Sequence, residues 1–248
     1  EDFGMTVYAN SHEITHAYFP FLVGTNETCA GWMDEGLTVF IPENSQHNIA
    51  PDLNIGAYNT SAFAHYAGLQ NEIALITPTH YLDANIYFYL NYAKAEQALR
   101  MLQMELGPDL FKTCLITFIE RWKYKHPTAL DFFHTFSDVS GRDLDWYWMA
   151  WYYQVGGIPD LAIQSVRQNK NSFTVIVENN GNLPLPVMVN FYNGERIIKT
   201  LNSPASNWDE GTREIELHFD ATETITKITL GSETIPDGHP EDNEYVVD

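Results

Sequence analysis

Two histidines four residues apart, in His12-Glu13-Ile14-Thr15-His16, and a glutamate, Glu35, after eighteen further residues constrain this chain more than any other feature. An α-helix turns about 100° per residue, so positions i and i+4 lie on one face, one turn apart. His12 and His16 on such a helix can grip a single ion. Glu13, next to the first of them, reaches the same side, where a carboxylate can act as general base on a metal-bound water. Hydrolytic zinc sites take a third protein ligand, carboxylate oxygen among the options, and leave a fourth position to water; Glu35 is the candidate. Ala17, Tyr18, Phe19, Phe21, Leu22 and Val23 make the following stretch apolar enough for a buried helix, and Gly31-Trp32-Met33-Asp34-Glu35-Gly36-Leu37 opens another. The pattern predicts one zinc ion per chain on His12, His16 and Glu35, with Glu13 as base. The alternative is a buried helix whose histidines only hydrogen-bond to neighbours.

Length and charge bound the rest. The 248 residues suffice for one large or two ordinary domains. Thirteen Lys and Arg face thirty-three Asp and Glu, a net charge of −20, which disfavours nucleic acid and anionic membrane surfaces as partners. No run approaches the length of a membrane span, and no basic-then-apolar signal segment begins the chain. Only eleven residues precede His12. A fold rarely starts so near its site, so further sequence upstream is expected; with a removed targeting signal still open, periplasmic, secreted and cytoplasmic locations all stay open. Cys29 and Cys114 are too few for a disulfide framework; a single bridge is open, and the expectation is two buried thiols without a chemical role.

Along the chain, residues 3–9 alternate enough for a short strand, with Asn10 and Ser11 as a helix cap. The helix carrying Glu35 should run to about Phe40 and stop at Pro42. Residues 42–60, rich in Asn, Pro and Ser, read as a loop. His47, His65 and His80 have no partner at ligand spacing and are not expected to bind metal. From Tyr87 the pattern is helical through Ala95, Ala98, Leu99, Leu102 and Leu106, with Gly107-Pro108 as the stop. Helices through Phe118 and, from the cap Thr128 to Gly141, through Phe136 follow. Another begins near Asp143, and its Trp146, Trp148, Trp151 and Tyr152 are expected in the core. Beyond Gly156-Gly157-Ile158-Pro159 strand patterns take over, at 161–166, 173–177, 187–191, 215–219 and 225–230, with Asn193-Gly194 as a hairpin signal. These strands predict a small β-sandwich without catalytic groupings, followed from Pro236 by an exposed acidic end for which calcium binding is open.

HEITH followed at this spacing by Trp32-Met33-Asp34-Glu35-Gly36 resembles the gluzincin aminopeptidases of the aminopeptidase N and leukotriene hydrolase family, whose second segment usually reads W-x-N-E-G; Asp34 departs from it by one step. Tyr92-Ala93-Lys94-Ala95, opening a helix that ends in Leu106-Gly107-Pro108, is similar to the family's Y-E-K-G segment. Ser140-Gly141-Arg142-Asp143-Leu144 through Gly157-Ile158-Pro159 resembles the end of its helical catalytic domain. The resemblance implies zinc ligands at His12, His16 and Glu35, a general base at Glu13, and an oxyanion-binding tyrosine at Tyr92, which on its residues alone could equally pack at a helix start, as could Tyr87 or Tyr89. It implies an α+β chain: the mostly helical half of a thermolysin-like catalytic domain over residues 1–157, then an immunoglobulin-like β-sandwich over 158–248.

The implied activity is zinc-dependent hydrolysis of peptide bonds at the amino terminus. The segment that binds a free amino group in that family, GAMEN, lies upstream of HExxH and is not among the eleven residues before His12, so the resemblance assigns exopeptidase specificity to no residue here. An upstream domain is expected to complete the cleft, and the isolated chain to depend on it for activity. The rivals are another gluzincin hydrolase, an endopeptidase or epoxide hydrolase, and a non-catalytic scaffold that keeps the zinc fold.

Overall fold

A computed structural model of the protein describes residues 2–69 and 72–247. The chain divides into two compact units, Glu1–Gly156 and Gly157–Asp248. Among the described residues the first is helical, the second is built from two antiparallel sheets, and no helix is long and apolar enough to cross a membrane.

The first helix, α1 (Phe3–Thr15), starts earlier than the pattern predicts and replaces the expected strand at 3–9. Asp2 accepts the otherwise orphaned N–H of Gly4 at 2.9 Å, which nucleates the first turn. Asn10 and Ser11 do not cap; they sit inside the helix and turn their side chains back onto the carbonyls of Thr6 and Val7. Alternation over so few residues fits either period, and no strand among the described residues of this unit offers a partner.

After α2 (Leu37–Phe40), Pro42 ends one helix and stands directly before the next. The expected loop at 42–60 instead holds α3 (Glu43–Ile49) and the start of α4 (Ile55–Tyr66), the latter capped by Asn54. These helices lacked an apolar signature because they turn Gln46, Asn59 and Thr60 inward. Gln46 donates to Ser11 on α1, and Thr60 accepts from Gln97, so hydrogen bonds take the place of hydrophobic contact for these two.

α5 (Ala84–Phe88), a π-helical turn at Tyr89–Lys94 and α6 (Ala95–Leu106) form one rod, which begins at the Asp83 cap rather than at Tyr87. Gly107, at φ 81°, stops it, and Pro108 opens α7 (Pro108–Trp122) at a position where no N–H is needed. Thr128 and Asp131 form a reciprocal capping box on α8 (Ala129–Ser140), which Gly141 closes at φ 66°. α9 (Asp145–Trp148) continues as a π-helical turn at Met149–Tyr153. Trp148, Trp151 and Tyr152 are buried as expected, while Trp146 is only half-buried. Cys114 is buried and free; Cys29 is also free but exposed, against the expectation of two buried thiols, because it lies in the polar turn that starts at Asn26.

In the second unit β1 (Leu161–Asn169), β2 (Ser172–Asn179) and β5 (Glu214–Asp220) make one sheet. β4 (Arg196–Ser203), β3 (Val187–Asn193), β6 (Lys227–Leu230) and β7 (Glu244–Val246) make the other, in that order. Phe191 of β3 meets Phe219 of β5 at 4.8 Å and Phe173 of β2 at 6.2 Å between ring centroids, so the two sheets face each other as a sandwich. Asn193 pairs with Arg196, which makes Gly194-Glu195 the two-residue turn, with Gly194 at φ 59°. The acidic end is not simply free: β7 pairs with β6, and Asp237 accepts from Leu161 N and from Asn243.

Candidate metal centre

His12 lies in the last turn of α1 and His16 at its C-terminal boundary, so the helix itself sets their common face. Glu35 comes from the π-helical turn Trp32–Gly36. Trp32 anchors that turn: it stacks on Phe133 at 5.8 Å and meets Tyr152 edge-on at 4.7 Å, deep in the aromatic core. Gly36 lets the turn approach the rod that carries Tyr92, since a Cβ there would lie 2.6 Å from that of Ala95.

The three side chains converge. His12 Nε2 is 3.2 Å from His16 Nε2 and 3.2 Å from Glu35 Oε2, and the remaining edge is 3.6 Å. Three donors held about 2.0–2.2 Å from one tetrahedral centre lie about 3.3–3.6 Å apart, so this triangle has the size of an ion's coordination face. A hydrogen bond between the two imidazoles spans one edge of it, and His12 faces Glu35 across another. His16 Nδ1 lies 2.8 Å from the Phe19 carbonyl, which can only accept, and that assigns the hydrogen to Nδ1 and leaves Nε2 of a neutral ring as a lone-pair donor. Glu35 Oε2 is buried without an aligned donor, His12 Nε2 lying beside it but out of line. Among the described residues this is the one group of His, Cys, Asp and Glu side chains whose ligand atoms gather within 4.8 Å. His47, His65 and His80 are not part of it.

The electrostatics follow the same geometry. Burial pushes the Glu35 carboxyl up, but His12 beside it and the phenols of Tyr92 and Tyr87 outweigh burial and leave it below its ordinary value. For His16 burial acts downward, and the Phe19 carbonyl with Asp34, Glu35 and Glu13 reverses it, so its pKa is raised. Glu13 is exposed, and its carboxylate makes no hydrogen bond or ion pair among the described residues.

Tyr92 sits on the π-helical turn with its ring stacked on His12 at 5.7 Å and 22°, and its phenol is raised well above the ordinary value by burial and then by Glu35. Two neighbours escaped the sequence reading. Tyr87 donates to Glu35 Oε1 at 3.1 Å, and its ring lies 6.2 Å from that of Tyr92 although they are five positions apart. In an α-helix that spacing points the two side chains about 140° apart, and the wider π turn lessens the difference. Tyr8 precedes His12 by one turn, and its ring lies 5.9 Å from that of His12, its phenol raised to about 12 by burial and then Glu35. The i, i+4, i+8 series Tyr8, His12, His16 was the available signal.

Below Tyr92, Lys94 is fully buried against Glu72 at 2.6 Å, and Glu72 also accepts from Gly68 N. Truncating one partner strands the other charge, so Lys94→Ala is expected to cost about 3–5 kcal/mol, measured by denaturant unfolding against the parent chain.

Residues 6–151 match the Peptidase family M1 domain. The chain is 23% identical over 170 residues to alanine/arginine aminopeptidase of Saccharomyces cerevisiae, an alignment covering 66% of this chain and 19% of that protein. It is 28% identical over 163 residues to aminopeptidase N of Caulobacter vibrioides, covering 61% and 18%. Among solved structures, aminopeptidase A of Legionella pneumophila, determined with aspartic acid, shares the fold at TM-score 0.66 and 19% identity, over 91% of this chain and 25% of that one. The chain thus spans only 18–19% of the length of those two curated relatives. With the matched domain taking in more than half of its residues, the chain belongs to peptidase family M1.

Proposed function

We propose that the chain carries the hydrolytic centre of a zinc-dependent peptidase that removes amino-terminal residues from peptides, with His12, His16 and Glu35 as metal ligands, Glu13 as general base and Tyr92 as oxyanion donor. We assign the helical unit to catalysis and the sandwich to a structural or docking role. The observation that carries this reading is the triangle of two imidazole nitrogens and a buried carboxylate oxygen, sized for one ion. Two imidazoles and a carboxylate are the donor set that zinc takes in hydrolytic sites.

Zinc in such a site supplies Lewis acidity, acidifying water and polarising a carbonyl. The residues of the chain do the rest. Glu13, free of other partners, takes the proton of the attacking water and passes it to the leaving amine. Tyr92, kept protonated by its buried position beside Glu35, donates a hydrogen bond to the carbonyl oxygen as that oxygen gains charge. Tyr87 holds the other oxygen of Glu35, which leaves Oε2 as the one that would be offered to an ion.

Metal analysis of protein prepared without chelator should find about one zinc per chain, lost on substituting His12 or His16. A chain free of transition metal would end the reading at its first step. Free and N-blocked peptides then separate the aminopeptidase from an endopeptidase.

A further inference from the structure

Asp34 is an odd residue to find where it is. It is only 3% exposed, and its Oδ1 lies 2.9 Å from His16 Nδ1. That nitrogen has one hydrogen, and its aligned acceptor is the Phe19 carbonyl, so the carboxylate stands beside an N–H that is already satisfied; Oδ1 has no donor of its own. The other charges acting on Asp34 besides His16 are Glu35 and Glu27, both negative. A buried carboxylate among acids, with one imidazole edge as its nearest positive partner, costs the fold free energy unless further positive charge balances it. Among its described neighbours no lysine or arginine forms an ion pair with it. The balancing charge has to come from something the fold holds nearby.

We propose that Asp34 is a positioning residue for His16 and the charge-balancing partner of the dication that His12, His16 and Glu35 hold, an inference that rests on the metal site proposed above. With two neutral imidazoles, Glu35 alone would leave a bound dication with one uncompensated charge, and Asp34 removes it. The carboxylate also flanks the edge of the His16 ring opposite Nε2, which keeps that nitrogen aimed at Glu35 and makes it a better donor. His12 has no such partner: its Nδ1 is buried and unpaired, and it is steadied by the rings of Tyr8 and Tyr92 instead. An amide at position 34 would keep the shape and lose the charge.

The test compares the parent with Asp34→Asn and Asp34→Ala, reading zinc affinity by competition with a chromophoric chelator and thermal unfolding of the metal-free proteins. Both variants should bind zinc about 10–100-fold more weakly. Metal-free Asp34→Asn should unfold at or above the temperature of the metal-free parent, because a buried carboxylate with no lysine or arginine partner is gone. A purely structural Asp34 gives the reverse pattern, lowered unfolding temperature with unchanged zinc affinity, and that overturns the proposal. So does an Asp34→Asn affinity within twofold of the parent when the parent itself binds one zinc. A parent that binds no zinc removes the metal site itself and this inference with it.

Discussion

Replacing Glu13 by Gln should lower peptide hydrolysis about 10²–10⁴-fold while the protein keeps its metal and its fold. The separation is expected because of where Glu13 stands. It is next to a ligand in sequence but exposed, and it has no hydrogen-bond or ion-pair partner among the described residues. An isosteric amide therefore removes no packing and strands no buried group, and surface changes of this sort stay within about 0.5 kcal/mol of the parent in stability. What it removes is an exposed carboxylate beside a ligand in sequence, with no hydrogen-bond or ion-pair partner among the described residues, which leaves it able to accept a proton. Its charge is felt at His16 and Tyr8, which places it in the same electrostatic neighbourhood. The loss should fall on kcat with KM little moved, since the amide still occupies the volume of the acid. The measurement is steady-state hydrolysis by the full-length protein together with zinc content. A rate within tenfold of the parent, zinc retained, would exclude Glu13 as the base.

The centre was legible in the sequence to the extent that its geometry is local. His12 and His16 are related by one helical turn, and that relation survives whatever the rest of the fold does. Glu35 was reachable only through the spacing to the second segment, because what brings it to the histidines is a π-helical turn anchored by Trp32, and neither feature has a periodicity signal. The same cause hid Tyr87, whose approach to Tyr92 depends on the wider turn between them. Helices α3 and α4 were missed for a different reason: a pattern argument looks for apolar residues inside, and these helices use Gln46, Asn59 and Thr60. In the sandwich the inward-facing strands showed their alternation. β4 gave only the hairpin at its start and β7 gave nothing, for the first is largely and the second wholly exposed along its length. Asp34 was visible as a departure from a motif. Its meaning was not, because it depends on the position of one oxygen against the edge of one ring.

Tyr92→Phe should reduce kcat by about 10²–10³-fold, the loss of about 2.7–4 kcal/mol of transition-state stabilisation that one oxyanion donor contributes. Phenylalanine keeps the ring that stacks on His12 at 5.7 Å, so the ligand should hold its orientation and zinc content should not fall. Only the hydroxyl goes. That hydroxyl is suited to donate: burial and the neighbouring Glu35 hold its pKa far above the ordinary phenol, so it stays protonated across the working pH range. Tyr87 provides the control, because it also bonds Glu35 and lies in contact with Tyr92, yet its hydroxyl is committed to Oε1, the carboxylate oxygen outside the ligand triangle. Tyr87→Phe should therefore cost about 1.5–3 kcal/mol, as a hydrogen bond to a charged group does, and register as weaker zinc binding before any large drop in kcat. If the two variants exchange these results, the oxyanion donor is Tyr87 and the tyrosine on the π turn is there to pack against His12.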